Sequence, residues 1–357
     1  MRSGEGSPCP FYLFGMGARR KMLHRAGRLT DLFTAELVAE WSAHEERVLP
    51  AKYAVRFLTR HDGVVSIVED EDGVWIDEEG DRRFVTSGRV LLPRFGDGPE
   101  APVLRALHQE VLINVVAGRP LPNLLVYGKP WYRDAATMLM CLAETGNLHL
   151  VEEWVAGLTE VFDRNNAGHR EPDNLGQVLY IISLLGDASH PLVPRVLEAA
   201  QEFRHGRHIS GLTDFAEHPA YQTKWLKHGL RALGLDDLWE IPEVEDTYSS
   251  LFWMDYRDTH VPCPRLGEDA ARDYPYLAWA EAHFHGDPPP ADLATDRYPL
   301  TWESNASQAD YARMSAISEE YVWRRTAAPH SWHAAEAFMY HVRGRPPVAP
   351  TAPTSAP

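Results

Sequence analysis

Four polar stretches of this chain combine side chains that move protons or read hydroxyl groups. The first, KPWYRD, brings Trp131, Tyr132, Arg133 and Asp134 to the start of an apolar helical pattern. Two flat aromatic faces beside a guanidinium and a carboxylate suit a sugar-like ring, the aromatics covering it and the polar pair bonding its hydroxyls. A plainer reading has Asp134 favouring the helix dipole and Arg133 pairing with a nearby carboxylate. The second stretch, DRNNAGHREPDNLGQ, holds Asn165, Asn166, Glu171, Asp173, Asn174 and Gln177. Asp173 is placed to cap the helix that follows, but capping leaves Asn165, Asn166, Glu171 and Gln177 unexplained. Together they resemble a hydroxyl-reading or acid/base site.

The third, SGLTDFAEHPAYQTKWL, sets Asp214, Glu217 and His218 at a helix start, followed by Gln222. Glu217 also reads as an ordinary helix-start carboxylate. The fourth comprises two related segments, PLTWESNASQADY with Glu303 and APHSWHAAEAFMYHV with His330, Trp332, His333 and Glu336. His333 and Glu336 are one helical turn apart and can interact, and a satisfied structural role for His333 is the bland alternative. His205 and His208 are three apart, but no HExxH pattern supports a metal site. No GxSxG, Walker A or complete Rossmann glycine pattern occurs, and GMGARR lacks the third glycine; no cofactor is implied.

The elements that must position these residues are legible from periodicity. Residues 11–33 read as strand or extended chain with turns at Gly15, Gly17 and Gly27, and residues 31–48 have helical spacing through Leu32, Leu37, Val38 and Trp41. From Tyr53 to Leu92, β-branched runs separated by Asp-Gly and Glu-Gly predict a small antiparallel β element with an acidic outer face. Helical stripes follow at 102–117, 132–145, 148–162, 174–186, 190–204, 219–234, 247–257, 276–285, 305–323 and 330–343. Short joints at Gly146-Asn147 and 186–189 alternate with long polar loops at 163–173 and 205–218. Counting reversals puts KPWYRD and both long loops at one end of a helical array, where sites usually form. Expected organisation is an N-terminal extended, helical and β segment over 1–100, a helical-hairpin domain over 101–345 and a disordered tail over 346–357.

Composition bounds the function. The chain has 357 residues and a formal net charge of −16, with Arg19-Arg20-Lys21 the only basic cluster, which argues against a nucleic-acid partner. Arginine outnumbers lysine 30 to 5, a bias that carries no functional information. No apolar run is long enough to span a bilayer and no secretory pattern opens the chain. Cys9, Cys141 and Cys263 are odd in number and widely spaced, consistent with reduced thiols in a cytoplasmic protein. Oligomeric state is left open.

The segment Trp131-Tyr132-Arg133-Asp134, the carboxylate- and amide-rich loop and the closing Pro329–Glu336 helix resemble the six-hairpin glycosidase superfamily, which includes glucoamylase-like enzymes. That resemblance spans residues 100–343 in motif style. It implies a mainly α fold, an (α/α)6-type or partial helical-hairpin toroid with the small β element attached. It also implies a glycoside hydrolase acting on a small glycoside or oligosaccharide through paired carboxylates. Arg133 and Asp134 carry over as substrate contacts. Position then suggests Glu171 or Asp173 as acid and Glu217 or Glu303 as base. A sugar epimerase or isomerase using histidine, or a non-catalytic carbohydrate-binding protein, are the alternatives.

Overall fold

The computed structural model describes residues 11–60, 63–244, 298–306 and 309–342. Two antiparallel meanders follow in succession, with buried apolar runs such as Phe11–Phe14 in the first and alternating burial clearest over Val64–Glu69 in the second. Strands β1 (Phe11–Phe14), β2 (Met22–Arg25), β3 (Arg28–Asp31) and β4 (Leu37–Glu40) form a four-stranded sheet in chain order. Strands β5 (Ala43–Leu49), β6 (Ala54–Thr59), β7 (Val64–Glu69), β8 (Gly73–Glu78) and β9 (Asp81–Ser87) form a five-stranded one. The Asp70 carboxylate tightens the β7–β8 turn by accepting from Gly73 N at 3.0 Å and Trp75 Nε1 at 3.0 Å. Phe11, Leu13 and Met22 of the first sheet and Val55, Phe57, Ile67 and Ile76 of the second belong to one apolar cluster. The Phe57 ring lies 5.1 Å from Trp41 and 5.9 Å from His24.

Eight described helices follow: α1 (Ala101–Ile113), α2 (Tyr132–Glu144), α3 (Glu152–Ala156), α4 (Asp173–Leu185), α5 (Leu192–Glu202), α6 (Pro219–Ala232), α7 (Glu319–Trp323) and α8 (Ser331–Val342). Packing neighbours run α1, α8, α2, α4, α6, so the last helix sits between the first two. Helix α1 also docks the sheets onto the helices. Gln109 Nε2 donates to Leu13 O at 2.8 Å, Arg105 Nε donates to Ala51 O at 2.9 Å, and Gly17 N donates to Leu112 O at 2.9 Å. Beside this junction Arg19 and Glu69 form a fully buried ion pair at 2.9 Å, and Glu69 also accepts Gly15 N and Met16 N. Those extra donors are what a desolvated carboxylate requires.

This architecture corrects the mainly α toroid and the six-hairpin resemblance. Two large antiparallel sheets occupy residues 11–87, so the chain is mixed α and β. The expected helix over 31–48 is strand. Asp31 Oδ1 accepts Phe33 N at 2.8 Å and Thr34 N at 2.7 Å, which turns the chain, and β4 and β5 pair with β3 and β6. Sparse apolar spacing there fits either period, and pairing decides it. The stripe over 148–162 keeps Val151, Val155, Leu158 and Phe162 buried but is only a 3₁₀ turn plus α3, ending at Gly157. Over 305–323 the chain forms a 3₁₀ turn at Tyr311–Ala316 and the short α7. The expected helices at 247–257 and 276–285, the tail over 346–357, Cys9 and Cys263 lie outside the described residues. Cys141 is a buried free thiol. Among the described residues no helix is long and apolar enough to cross a membrane.

Candidate active site

The N-terminus of α2 is the centre of the polar cluster. Its first amide, Tyr132 N, donates to Asp163 Oδ2 at 2.6 Å, so the long 163–172 loop supplies the cap rather than the helix itself. Asn165 Nδ2 donates to Pro130 O at 2.7 Å, and Asn174 Oδ1 accepts Asp163 N at 3.1 Å. These amides hold the loop against KPWYRD. Arg133 is thereby directed inward, its Nη1 3.6 Å from Asp173 Oδ2 and its Nη2 3.4 Å from Asp214 Oδ2. The guanidinium lies 5.6 Å from the Trp131 ring centre and 5.2 Å from that of Trp332, within reach of both π faces.

Asp173 does not cap α4; it is that helix's first residue, and Pro172 holds the cap position. The Asp173 carboxylate instead accepts from Thr213 Oγ1 at 2.9 Å, Gln177 Nε2 at 2.9 Å and Tyr221 OH at 3.3 Å. Thr213 comes from a two-strand hairpin, β10 (Leu212–Thr213) and β11 (Ala216–Glu217), formed within the long 203–218 connection. Gln222 pins that hairpin by donating to Gly211 O at 2.7 Å and Thr213 Oγ1 at 2.8 Å. Glu171 Oε1 accepts Asp214 N at 2.5 Å and Asn166 Nδ2 at 3.2 Å. Burial, with Asp173 close by, pushes the Glu171 carboxyl up to about 7. Burial raises Asp173 too, against the pull of Arg133.

On the other side of Arg133 stand Asp134, Glu303 and His330. His330 Nε2 lies 3.1 Å from Glu303 Oε2 and 3.6 Å from Asp134 Oδ1. Tyr127 OH donates to Glu303 Oε2 at 2.5 Å. Burial alone would raise Glu303, but His330, Tyr127 and His333 hold it at about 2. Asp134 has a weaker set of partners, and burial pushes it up to about 7 despite His330 and Arg133. Burial lowers His330, but Glu303 and Asp134 reverse the sign and leave it raised. Its neighbour His333, ring centres 4.6 Å apart, is pushed down to about 3 by burial and by His330, with Nδ1 2.9 Å from Trp302 O. Glu303 keeps 25% of its side chain open, against 4% for Asp134, so it is the carboxylate of this trio most accessible to water or a ligand.

Most sequence-derived candidates are therefore neighbours in space: Trp131, Tyr132, Arg133, Asp134, Asn165, Asn166, Glu171, Asp173, Asn174 and Gln222 around α2 and α4, and Glu303, His330, Trp332 and His333 opposite. Glu336 accepts a hydrogen bond from Trp332 Nε1 and fixes that indole. Glu217 is exposed on β11, where Ser210 Oγ donates to it at 2.9 Å, and His218 is half-buried next to it. Sequence reasoning left Asp163, Thr213, Tyr221 and Tyr127 out of the candidate site. Asp163 lay in the loop already singled out, whereas Tyr127 carries no local signal. Among the described residues no group of three or more His, Cys, Asp or Glu could hold a metal ion. A separate cavity of about 720 Å³, lined by His205, His208, Lys227 and Trp239 among others, includes none of the residues of the Arg133 cluster. Compared with known proteins, the chain matches no family model, no curated protein sequence and no solved structure.

Proposed function

We propose that this site performs acid–base hydrolysis of a small glycoside or oligosaccharide. One observation carries the reading: within a single buried cluster Glu303 is held ionised at about 2 while Glu171 and Asp134 are pushed to about 7. Carboxyls whose surroundings drive them apart in this way divide the acid and base roles at neutral pH. Glu303, the more exposed, is the base that activates water. Glu171, across Arg133, is the acid that protonates the leaving oxygen, with Asp134 as its competitor for that role. The neighbouring Trp131 and Trp332 favour a flat, hydroxyl-rich ligand, as do the amides of Asn165 and Asn166 in the adjoining loop. Glu217, exposed on the hairpin, is withdrawn as a base, and Asp173, committed to Thr213, Gln177 and Tyr221, acts by holding Arg133.

The test is turnover by the purified protein of aryl glycosides and short oligosaccharides, with Glu303→Gln, Glu171→Gln and Asp134→Asn alongside. Glu303→Gln and one of the other two should each reduce kcat by about 10²–10⁴ in a folded protein. Absence of turnover on every glycoside sinks the hydrolase reading. The His330–His333 pair favours a second reading, a sugar epimerase or isomerase, which interconversion of free sugars without hydrolysis would support.

A further inference from the structure

A carboxyl in the fully buried run ALHQEVLI is the least expected feature of α1, and burial pushes it up to about 8. Glu110 is fully buried in that helix and has no counter-ion among the described residues. Its carboxyl reaches across to the returning chain. One oxygen accepts Leu300 N, and the other accepts Thr301 N at 3.1 Å and Thr301 Oγ1 at 2.5 Å. Thr301 continues the connection, its Oγ1 lying 3.1 Å from His330 O and 3.3 Å from His330 N. One turn further along, Asn114 Nδ2 donates to Pro329 O at 3.4 Å, and Asn123 Nδ2 donates to the same oxygen at 2.8 Å. Ser331 N donates to Pro122 O at 2.9 Å. Both chain segments that carry Glu303 and His330 are thus fastened to α1 and the 114–123 turn.

Glu303 lies two residues beyond that clasp, and at its far end its carboxylate meets Tyr127 OH at 2.5 Å and His330 Nε2 at 3.1 Å. Its strand, β12 (Glu303–Ser304), is two residues long and among the described residues pairs only with β13 (Thr326–Ala327). An element that short is held by its anchors and not by its own ladder. A buried carboxyl surrounded by three donors forms strong, directional contacts because desolvation penalises every alternative.

We infer that Glu110 is a positioning residue, which through Thr301 sets the Glu303–His330 pair on which the proposed acid–base chemistry rests. The mechanism is geometric: without the clasp, residues 300–303 shift and the 3.1 Å contact lengthens. His330 then loses the nearer of the two carboxylates that keep it raised.

The measurement is NMR titration of the His330 ring in the whole chain, alongside far-UV circular dichroism to verify folding. Glu110→Ala removes all three acceptor contacts and should lower the His330 midpoint by at least about 1 pH unit, the usual effect of losing a close opposite charge. Glu110→Gln retains an acceptor for one amide and a donor for Thr301 Oγ1, and should return most of the way to wild type. Thr301→Val deletes the hydroxyl link alone and should shift the midpoint in the same direction by less; it also decides the matter if Glu110→Ala does not fold. A folded Glu110→Ala, or failing that a folded Thr301→Val, with an unchanged His330 midpoint overturns the inference. Because the readout is a titration, the two proposals fail separately. A shifted midpoint in a protein that cleaves no glycoside removes only the hydrolase reading.

Discussion

Replacing Gly176 by alanine should drive apart the two helices that carry half of the site. A Cβ built at Gly176 in α4 falls 2.0 Å from Trp225 C and 2.1 Å from Trp225 O in α6, and one at Gly229 falls 2.4 Å from Gly176 O. The helices meet backbone to backbone, so no side chain can rotate out of the way. Restoring an ordinary separation of roughly 3.5 Å requires a displacement of about 1.5 Å. Overpacking of cores costs about 1–3 kcal/mol when side chains give, and rigid backbone puts this case at the upper end or beyond. Alanine returns at most about 1 kcal/mol through its better helix propensity. A net loss of about 2–4 kcal/mol should lower Tm by roughly 3–5 °C in a chain of this length. The same displacement pulls Tyr221 and the Thr213 hairpin away from Asp173, so Arg133 loses its anchor and binding weakens with stability. Thermal and urea unfolding of wild type and Gly176→Ala measure the first effect. Unchanged midpoints in both would refute backbone contact at this crossing and the placement of Asp173 derived from it.

Arg133→Met should destabilise by about 3–5 kcal/mol, because Asp173, with no exposed side-chain area, is left as a buried charge without its cation; an unaltered urea midpoint would refute the pairing. Phe215 is 80% exposed at the tip of the hairpin beside Asp214. Phe215→Ala should leave stability within about 0.5 kcal/mol but weaken ligand binding about 2–10-fold if the ring stacks on the ligand; an unchanged Kd removes Phe215 from the site. Asp134 holds its proton up to about pH 7 in the folded chain and releases it near 3.8 when unfolded. Its contribution is therefore present below 3.8 and lost as pH rises through 7, so wild type should lose Tm relative to Asp134→Asn across that window. Parallel Tm profiles would show that Asp134 is not desolvated. Glu303 has the opposite sign: its contribution is present above 4.5 and lost as pH falls toward 2, which Glu303→Gln should abolish.

What the sequence determined by itself is local. Helices α1, α2, α4, α5, α6 and α8 were legible because each has an apolar stripe of sufficient length, and strands β7–β9 because β-branched runs lie between Asp-Gly and Glu-Gly turns, although the similar run RVLLP forms no strand. Short joints and long polar loops also placed Arg133, Asp173 and Asp214 at a common end, where the ion pairs now connect them. In residues 31–48 the spacing of Leu32, Leu37, Val38 and Trp41 does not fix a period; hydrogen bonding to β3 and β6 does. The toroid was an extrapolation from helical hairpins, and nothing local in residues 11–87 announces that two meanders will share one core. Only the tertiary structure put α8 between α1 and α2. That insertion brings His330 beside Asp134, almost two hundred residues away in sequence, and Glu303 beside both. The same burial decides which carboxyls keep their protons, because a pKa depends on the dielectric and charges around the folded group and not on its neighbours in the chain.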